Sequence, residues 1–273
     1  MTQYNNSISV IIPVYNGEKL LRFSTKSAFD QLGKYINEII IVDDGSTDDS
    51  WLVMQQISSE DKRVRIYQQK NQGQAKARNY GASMSKGEYL AFLDVDDTWK
   101  TDKLQKQLEL FNSNDRLVLV YGNAEILFYP PRKEKITFSK ITRLRRGNVC
   151  NWLLYKNFIC TSSVIIKKNV FMNLGGFKEN EEYRYIEDYD LWLRAAAIGP
   201  IDYIEEPLTC YLRHAAGSSQ AKVKTTLNIL KMIKKIPVDA NITVINKIVA
   251  LVRYLLVLMM YFFHLDRLFS PLD

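Results

Sequence analysis

Four short apolar runs, each leading into polar residues, constrain this chain more than any other feature. Ile8–Val14 (ISVIIPV) runs into Tyr15-Asn16, and Ile39–Val42 runs into Asp43-Asp44-Gly45-Ser46. Val64–Tyr67 is a third run, and Tyr89–Leu93 ends in Asp94-Val95-Asp96-Asp97. The runs are continuous and rich in β-branched residues, which reads as strands buried on both faces. Helical spacing fills the gaps at 18–32, from a cap at Ser46, Thr47 or Asp48 toward Ile57, and at Ala75–Ser85. Further strands are expected at Val118–Tyr121 and Ser162–Lys167, and a helix at Asp188–Ala197. Strands alternating with helices predict an α/β fold, a mostly parallel central sheet flanked by helices. In open sheets of this kind ligands bind beyond the carboxyl ends of the strands. The tips at Tyr15-Asn16, Asp43-Asp44 and Asp94–Asp97 are therefore expected around one crevice.

Composition narrows the setting. The 273 residues are 47% apolar and 25% charged, which supports a packed core and excludes a disordered or fibrous chain. Cys150, Cys160 and Cys210 form no C-x-x-C pair. Neither a disulfide framework nor a thiolate zinc site is expected, and a reducing, cytoplasmic setting is. Met1–Ser7 has no basic or apolar region, so no secretory signal is expected. The net charge of +7 is concentrated in patches. Residues 130–148 hold seven Lys/Arg against one Glu, and residues 221–273 hold eight Lys/Arg against three Asp. Patches of this kind argue against nucleic acid and for an anionic membrane face or a phosphate-bearing partner. Pro130-Pro131 and the cations after them predict an exposed loop or flexible insertion.

The tail is different in character. Residues 221–235 read as a basic helix, and 242–263 are very apolar but interrupted by Lys247 and Arg253. An interfacial or partner-packing helix and an ordinary buried helix fit this run equally, and both fit better than a membrane span. The expected division is a catalytic domain at 1–220, with a nucleotide half at about 1–100 and an acceptor half at about 101–220, then a helical tail at 221–273.

Five motifs carry chemistry, each with a bland alternative. Asp94-x-Asp96-Asp97 packs three carboxylates into four residues, which repel unless a cation compensates. Hard oxygens suit Mg²⁺ or Mn²⁺, although such a turn alone is more often a solvated helix cap. Asp43-Asp44-Gly45-Ser46 offers a carboxylate to a base or ribose hydroxyl, or caps a helix. Asn71-x-Gly73-x-x-x-Ala77-Arg78-Asn79-x-Gly81 lets Arg78 reach a phosphate, or leaves it on a solvated face. Glu187-Asp188-x-x-x-Trp192 sets acids at a helix start, where the dipole favours them, or makes Asp188 a general base. His214, one of two histidines, ligates the cation or touches the diphosphate, or is structural.

In their order, strand-PVYN, strand-VDDGSTDDS, N-x-G-x-x-x-A-R-N-x-G, strand-LDVDD and GGF followed by EDYDLW, these motifs closely resemble family 2 glycosyltransferases of the GT-A fold. The resemblance covers about Ile8–Ser219. It implies a Rossmann-like sheet and transfer of a sugar, with inversion, from a nucleotide donor (by family habit a UDP-sugar) to an acceptor hydroxyl. It implies that Pro13 and Tyr15 line the nucleoside pocket, that Asp44 bonds the uracil edge, and that Asn71 and Arg78 lie near uracil and ribose. Asp94 would sit near the ribose, and Asp96 would hold Mn²⁺ or Mg²⁺ under the diphosphate, with His214 completing the shell. Whether Asp96 or Asp97 is the closer ligand stays open at this point. Asp188 would be the base, and Glu187 and Trp192 would shape the acceptor side. The implied partners are a glycan or lipid-linked acceptor of surface polysaccharide synthesis. Peripheral attachment to the inner membrane face and self-association through the C-terminal helices are further expectations from the tail.

Two rival readings come from other classes. Asp94–Thr98 also fits the D-x-D-x-T string of haloacid dehalogenase-type phosphatases, with Asp94 as nucleophile. That motif normally sits on a first strand, whereas three elements precede it here. The other rival is a scaffold that binds a nucleotide sugar without turnover.

Overall fold

The computed structural model describes residues 7–31, 35–129, 136–214, 219–238 and 242–262. The strands are β1 (Ile8–Val14), β2 (Ile36–Asp43), β3 (Val64–Gln68), β4 (Tyr89–Phe92), β5 (Thr98–Trp99), β6 (Leu119–Tyr129), β7 (Ile136–Thr137), β8 (Ile165–Lys167) and β9 (Ile201–His214). The helices are α1 (Leu21–Phe29), α2 (Ser50–Glu60), α3 (Gln74–Met84), α4 (Lys103–Ser113), α5 (Phe138–Ile141), α6 (Cys150–Tyr155), α7 (Lys168–Asn173), α8 (Glu187–Ile198), α9 (Ser219–Lys235) and α10 (Val244–Phe262).

The sheet order is β3-β2-β1-β4-β8-β6-β9-β5, with β7 on the side of β6. β1, β2, β3 and β4 pair in parallel, as do β6 and β9, and these pairings hold most of the paired residues. β8 joins the two halves by antiparallel contacts to β4 and β6. All seven residues of β1 are buried. Ile8, Val10, Ile12 and Val14 pack into one apolar cluster with residues of α1, α2 and α4, while Ile11 enters another with α3 and α8. That two-sided burial is why the run is continuous rather than alternating.

The chain steps from β1 to β2 to β3 and then crosses back to place β4 on the other side of β1. Strand order therefore reverses at β1, which is where an open sheet leaves a crevice. Helix α3 makes the return crossing, and it lies so close to β1 that a Cβ on Gly81 would meet Ile11 Cγ2 at 2.7 Å.

One expectation needs amendment, and one strand is new. The region read as a loop or insertion is partly structured: β7 pairs with β6 and leads into α5. Arg145 stacks on the Trp152 ring at 3.4 Å, and Arg146 pairs with Asp202 at 3.3 Å, so two of its cations belong to the fold. Residues 130–135 lie outside the described residues. β9 was not anticipated, and the expected boundary at 220 falls just inside α9. Met232, Ile233, Ala250 and Tyr254 of the tail share one apolar cluster with Leu191 and Trp192 of α8.

Candidate active site

A cavity of about 970 Å³ opens where the strand order reverses. Pro13, Tyr15, Asp44, Asn71, Arg78, Asp94, Asp96, Glu187 and Asp188 all line it. The three strand tips thus share one crevice, and the first turn of α8 joins them.

The tips are held by their own polar residues. Asn16 takes a left-handed backbone conformation (φ 52°), and its Oδ1 accepts the Thr47 N–H at 2.8 Å. Asp44 is buried and accepts three hydrogen bonds, from Gln69 Nε2 at 2.7 Å and from the backbone N–H groups of Gln72 at 2.9 Å and Gly73 at 2.8 Å. Asp44 therefore fixes the loop that carries Asn71. The neighbouring Asp43 accepts from Ser46 N and Gln68 Nε2.

Arg78 is not on a solvated face. It is 2% exposed, and its Nη2 lies 2.5 Å from Asp94 Oδ1 while its Nη1 lies 3.7 Å from Glu187 Oε1. Gln74 Nε2 donates to the same Glu187 oxygen at 2.6 Å. One guanidinium thus braces the β4 tip against the first turn of α8. Glu187 Oε2 and Arg78 Nε are buried without a hydrogen-bond partner. The next residue of the motif, Asn79, clamps the Gly-Gly-Phe turn. Its Nδ2 donates to Phe177 O at 2.8 Å, and its Oδ1 accepts Phe177 N–H at 2.9 Å. Gly176 must be glycine there: its φ is +65°, and a Cβ would stand 2.5 Å from Asn79 Oδ1.

The acidic loop after β4 divides its carboxylates. Asp97 is buried, accepts the Ser162 hydroxyl and the Leu212 N–H, and does not line the cavity. Burial, with Asp94 and Asp96 nearby, pushes its carboxyl well above the usual range. Asp96 is the one of the two that lines the cavity. Among the described residues, no three His, Cys, Asp or Glu side chains form a ready metal cage. Asp94 and Asp96 still offer hard oxygens on one wall. Mg²⁺ is usually held by one or two carboxylates together with substrate phosphates and water, so this donor set suits an ion arriving with a diphosphate. His214 ends β9, and its side chain lies outside the described residues.

Asp188 is half-buried. Its Oδ2 accepts the Thr161 hydroxyl at 3.0 Å and its Oδ1 the Tyr189 N–H at 2.6 Å. Burial, reinforced by the adjacent Glu187 charge, raises its pKa to about 6. At neutral pH such a group is ionised yet basic enough to take a proton.

Trp192 departs from expectation. It is 0% exposed and packs its ring against Phe92 and Phe177, in the core rather than on the acceptor side. Four residues of helix carry it about 6 Å beyond Asp188, past the cavity wall. The cavity is also lined by residues the sequence did not single out, among them Asn157, Lys178, Arg184 and Tyr185. Tyr185 is 59% exposed with φ 70°, a strained conformation for a bulky side chain. The only sequence signal for it is an aromatic two residues before the acidic pair.

The mostly parallel sheet, with an acid-lined cleft at the carboxyl ends of its strands, matches glycosyltransferase structures of the GT-A fold. TarS residues 1–349 from S. aureus, solved in complex with UDP-GlcNAc, superpose with a TM-score of 0.68 at 18% identity, covering 91% of this chain and 71% of that one. The mannosyltransferase PcManGT from Pyrobaculum calidifontis, solved with GDP-Man and Mn²⁺, gives 0.66 at 15% identity, covering 97% and 76%. Residues 9–175 match Glycosyl transferase family 2, and the chain belongs to that family. It is 33% identical over 242 residues to the Escherichia coli UDP-Glc:alpha-D-GlcNAc-diphosphoundecaprenol beta-1,3-glucosyltransferase WfaP, covering 86% of this chain and 88% of that one. It is 44% identical over 110 residues to the putative teichuronic acid biosynthesis glycosyltransferase TuaG of Bacillus subtilis, covering 40% and 43%. An uncharacterized glycosyltransferase of Rickettsia conorii is 31% identical over 221 residues, and there the chain spans 36% of its relative's length.

Proposed function

We propose that this chain moves a sugar, with inversion, from a nucleotide donor to an acceptor hydroxyl in the synthesis of surface polysaccharide or a lipid-linked glycan. One observation carries the reading: strand-tip carboxylates and the weakly acidic Asp188 line a single cavity. Family membership favours transfer over the rival phosphatase reading of Asp94, which is already ion-paired with Arg78. The UDP-Glc and diphosphoundecaprenol in the name of WfaP support a UDP-sugar donor and a lipid-linked acceptor.

In this reading Pro13, Tyr15 and Asn71 receive the nucleoside, while Asp44 fixes the loop beneath it and Asp94 stands near the ribose. Asp96, with His214 as a further ligand, would hold Mn²⁺ or Mg²⁺, and such an ion offsets charge on the departing nucleoside diphosphate. Asp188, oriented by Thr161 and the Tyr189 N–H, takes the acceptor proton. The acceptor oxygen bonds to the anomeric carbon as the bond from that carbon to the diphosphate oxygen breaks. The nucleoside diphosphate leaves with the electron pair. Inversion needs only this one displacement, so no covalent nucleophile is required. Glu187 holds the base's surroundings through Gln74 and Arg78, and Tyr185 offers the acceptor sugar an apolar ring face.

The test is a panel of UDP-glucose, UDP-GlcNAc and GDP-mannose, with and without Mn²⁺. One donor should raise the melting temperature and yield nucleoside diphosphate at speed only when an undecaprenyl-diphosphate sugar is added. Hydrolysis of p-nitrophenyl phosphate with indifference to every nucleotide sugar would overturn the proposal.

A further inference from the structure

Helix α10 has a face that the transfer chemistry leaves unused. Every exposed residue between 244 and 261 is apolar, and they recur at helical spacing from Val244 and Ile245 through Ile248 and Val252 to Leu255 and Met259. The stripe is about 22 Å long by helix rise. The two cations of this segment turn away from it. Lys247 Nζ donates to the carbonyls of Lys234 at 2.9 Å and Ile236 at 2.6 Å, and Arg253 donates to the carbonyl of Tyr155. On its inner side Ala250 and Tyr254 are buried in the domain core.

The helix is long and apolar enough to cross a membrane, and little of it is buried in the domain. It is nevertheless bolted along α9 and α6, and α9 carries five lysines and no acid. A helix fixed beside such a partner lies on a bilayer rather than across it. Lys231 and Lys234 of α9 are exposed, and Lys222 sits 5.9 Å from the Tyr261 ring at the other end of the hairpin. An apolar stripe beside a row of lysines matches an anionic lipid surface. A second copy would bring another positively charged flank to this stripe rather than an anionic one.

We infer that α10 docks in the headgroup–acyl boundary of an anionic bilayer, with the α9 lysines on lipid phosphates. This docking stands independently of the transfer reading, but it bears on it. The Tyr254 hydroxyl lies 3.1 Å from that of Tyr189, the residue after Asp188. Docking would thus set the height of Asp188 above the lipid.

The experiment is flotation of the full chain with phosphatidylcholine vesicles, alone or with phosphatidylglycerol. Binding should require the anionic lipid. Val252→Glu with Leu256→Glu should lower the bound fraction roughly tenfold or more, with an unchanged circular-dichroism melt and unchanged thermal shift by donor. Lys231→Glu with Lys234→Glu, which leaves the apolar stripe whole, should lower it several-fold and most strongly at low salt. Equal binding by wild type and both variants overturns the inference. A wild-type dimer in sedimentation that Val252→Glu with Leu256→Glu dissociates overturns it in favour of self-association. Loss of the donor's thermal shift in wild type would strike the transfer reading alone.

Discussion

Asp44 and Asp188 line one cavity and are held in contrasting ways. Asp44 is met by two backbone N–H groups and a glutamine amide from one loop. Asp188 has one hydroxyl, the N–H of its own neighbour and a like charge beside it. A carboxylate saturated with donors is an anchor, whose use is to hold a loop in place. A carboxylate with fewer donors, partly withdrawn from water and beside a like charge, is a reagent, since its charge is left in want of a proton. Arg78 stands between the two, ion-paired closely with Asp94 and more loosely with Glu187, whose charge still reaches Asp188.

The contrast is broken most directly at Asp188. Asp188→Asn should slow transfer roughly 10²–10⁴-fold, with donor affinity unchanged by calorimetry. It should not lower stability at neutral pH. The folded pKa of about 6 lies above the ordinary 3.8, so this group favours folding most at low pH and loses that advantage as pH rises through 6. The variant should therefore melt at or above wild type at pH ~7.5, with the difference closing toward pH ~4. A melting point well below wild type at neutral pH would make Asp188 an anchor after all.

Arg78→Met tests the brace. Removing one member of a buried ion-paired set costs about 3–5 kcal/mol, readable by urea denaturation. A loss below about 1 kcal/mol, the scale of a surface pair, would mean that water reaches Asp94 and Glu187. Asp44→Asn should weaken the charge-assisted bonds to residues 69–73 by about 1.5–3 kcal/mol in total. Donor affinity should fall with the turnover number nearly intact, and unchanged affinity would detach that loop from the donor. The smallest effect belongs to Glu187→Gln. Removing the adjacent charge should move the acid limb of the pH–rate profile from near 6 to lower pH, by less than about one unit. An upward move would show that Glu187 acts chiefly through Arg78.

Much of the first half was legible because its strands are buried on both faces, which leaves runs such as ISVIIPV unmistakable. The same reading placed Tyr15, Asp44 and Asp94 on strand tips, and the reversal at β1 brings the tips together. The second half hid more. β9 (IDYIEEPLTCYLRH) contains Pro207 and two adjacent glutamates and has no steady alternation, yet it pairs with β6 over eleven residues through a register shift. Its pairing partner, distant in sequence, defines it, and no local pattern announces that. Asp96 and Asp97 are equivalent in the sequence, and only the fold brings Ser162 and the Leu212 N–H to one of them. Trp192 shares a helix face with Asp188 by spacing, but α8 reaches the cavity only with its first turn and is buried along most of its length beyond it.

The clamp between Asn79 and Gly176 has a consequence for how such a chain can change. A single side-chain amide imitates a strand's hydrogen-bonding edge and seals two segments 98 residues apart. Neither partner can drift alone: a larger residue at 176 evicts the amide, and a different side chain at 79 leaves the turn unfastened. A chimera that draws its first hundred residues from one homologue and the rest from another must inherit both halves of this joint, or lose the seam between those segments.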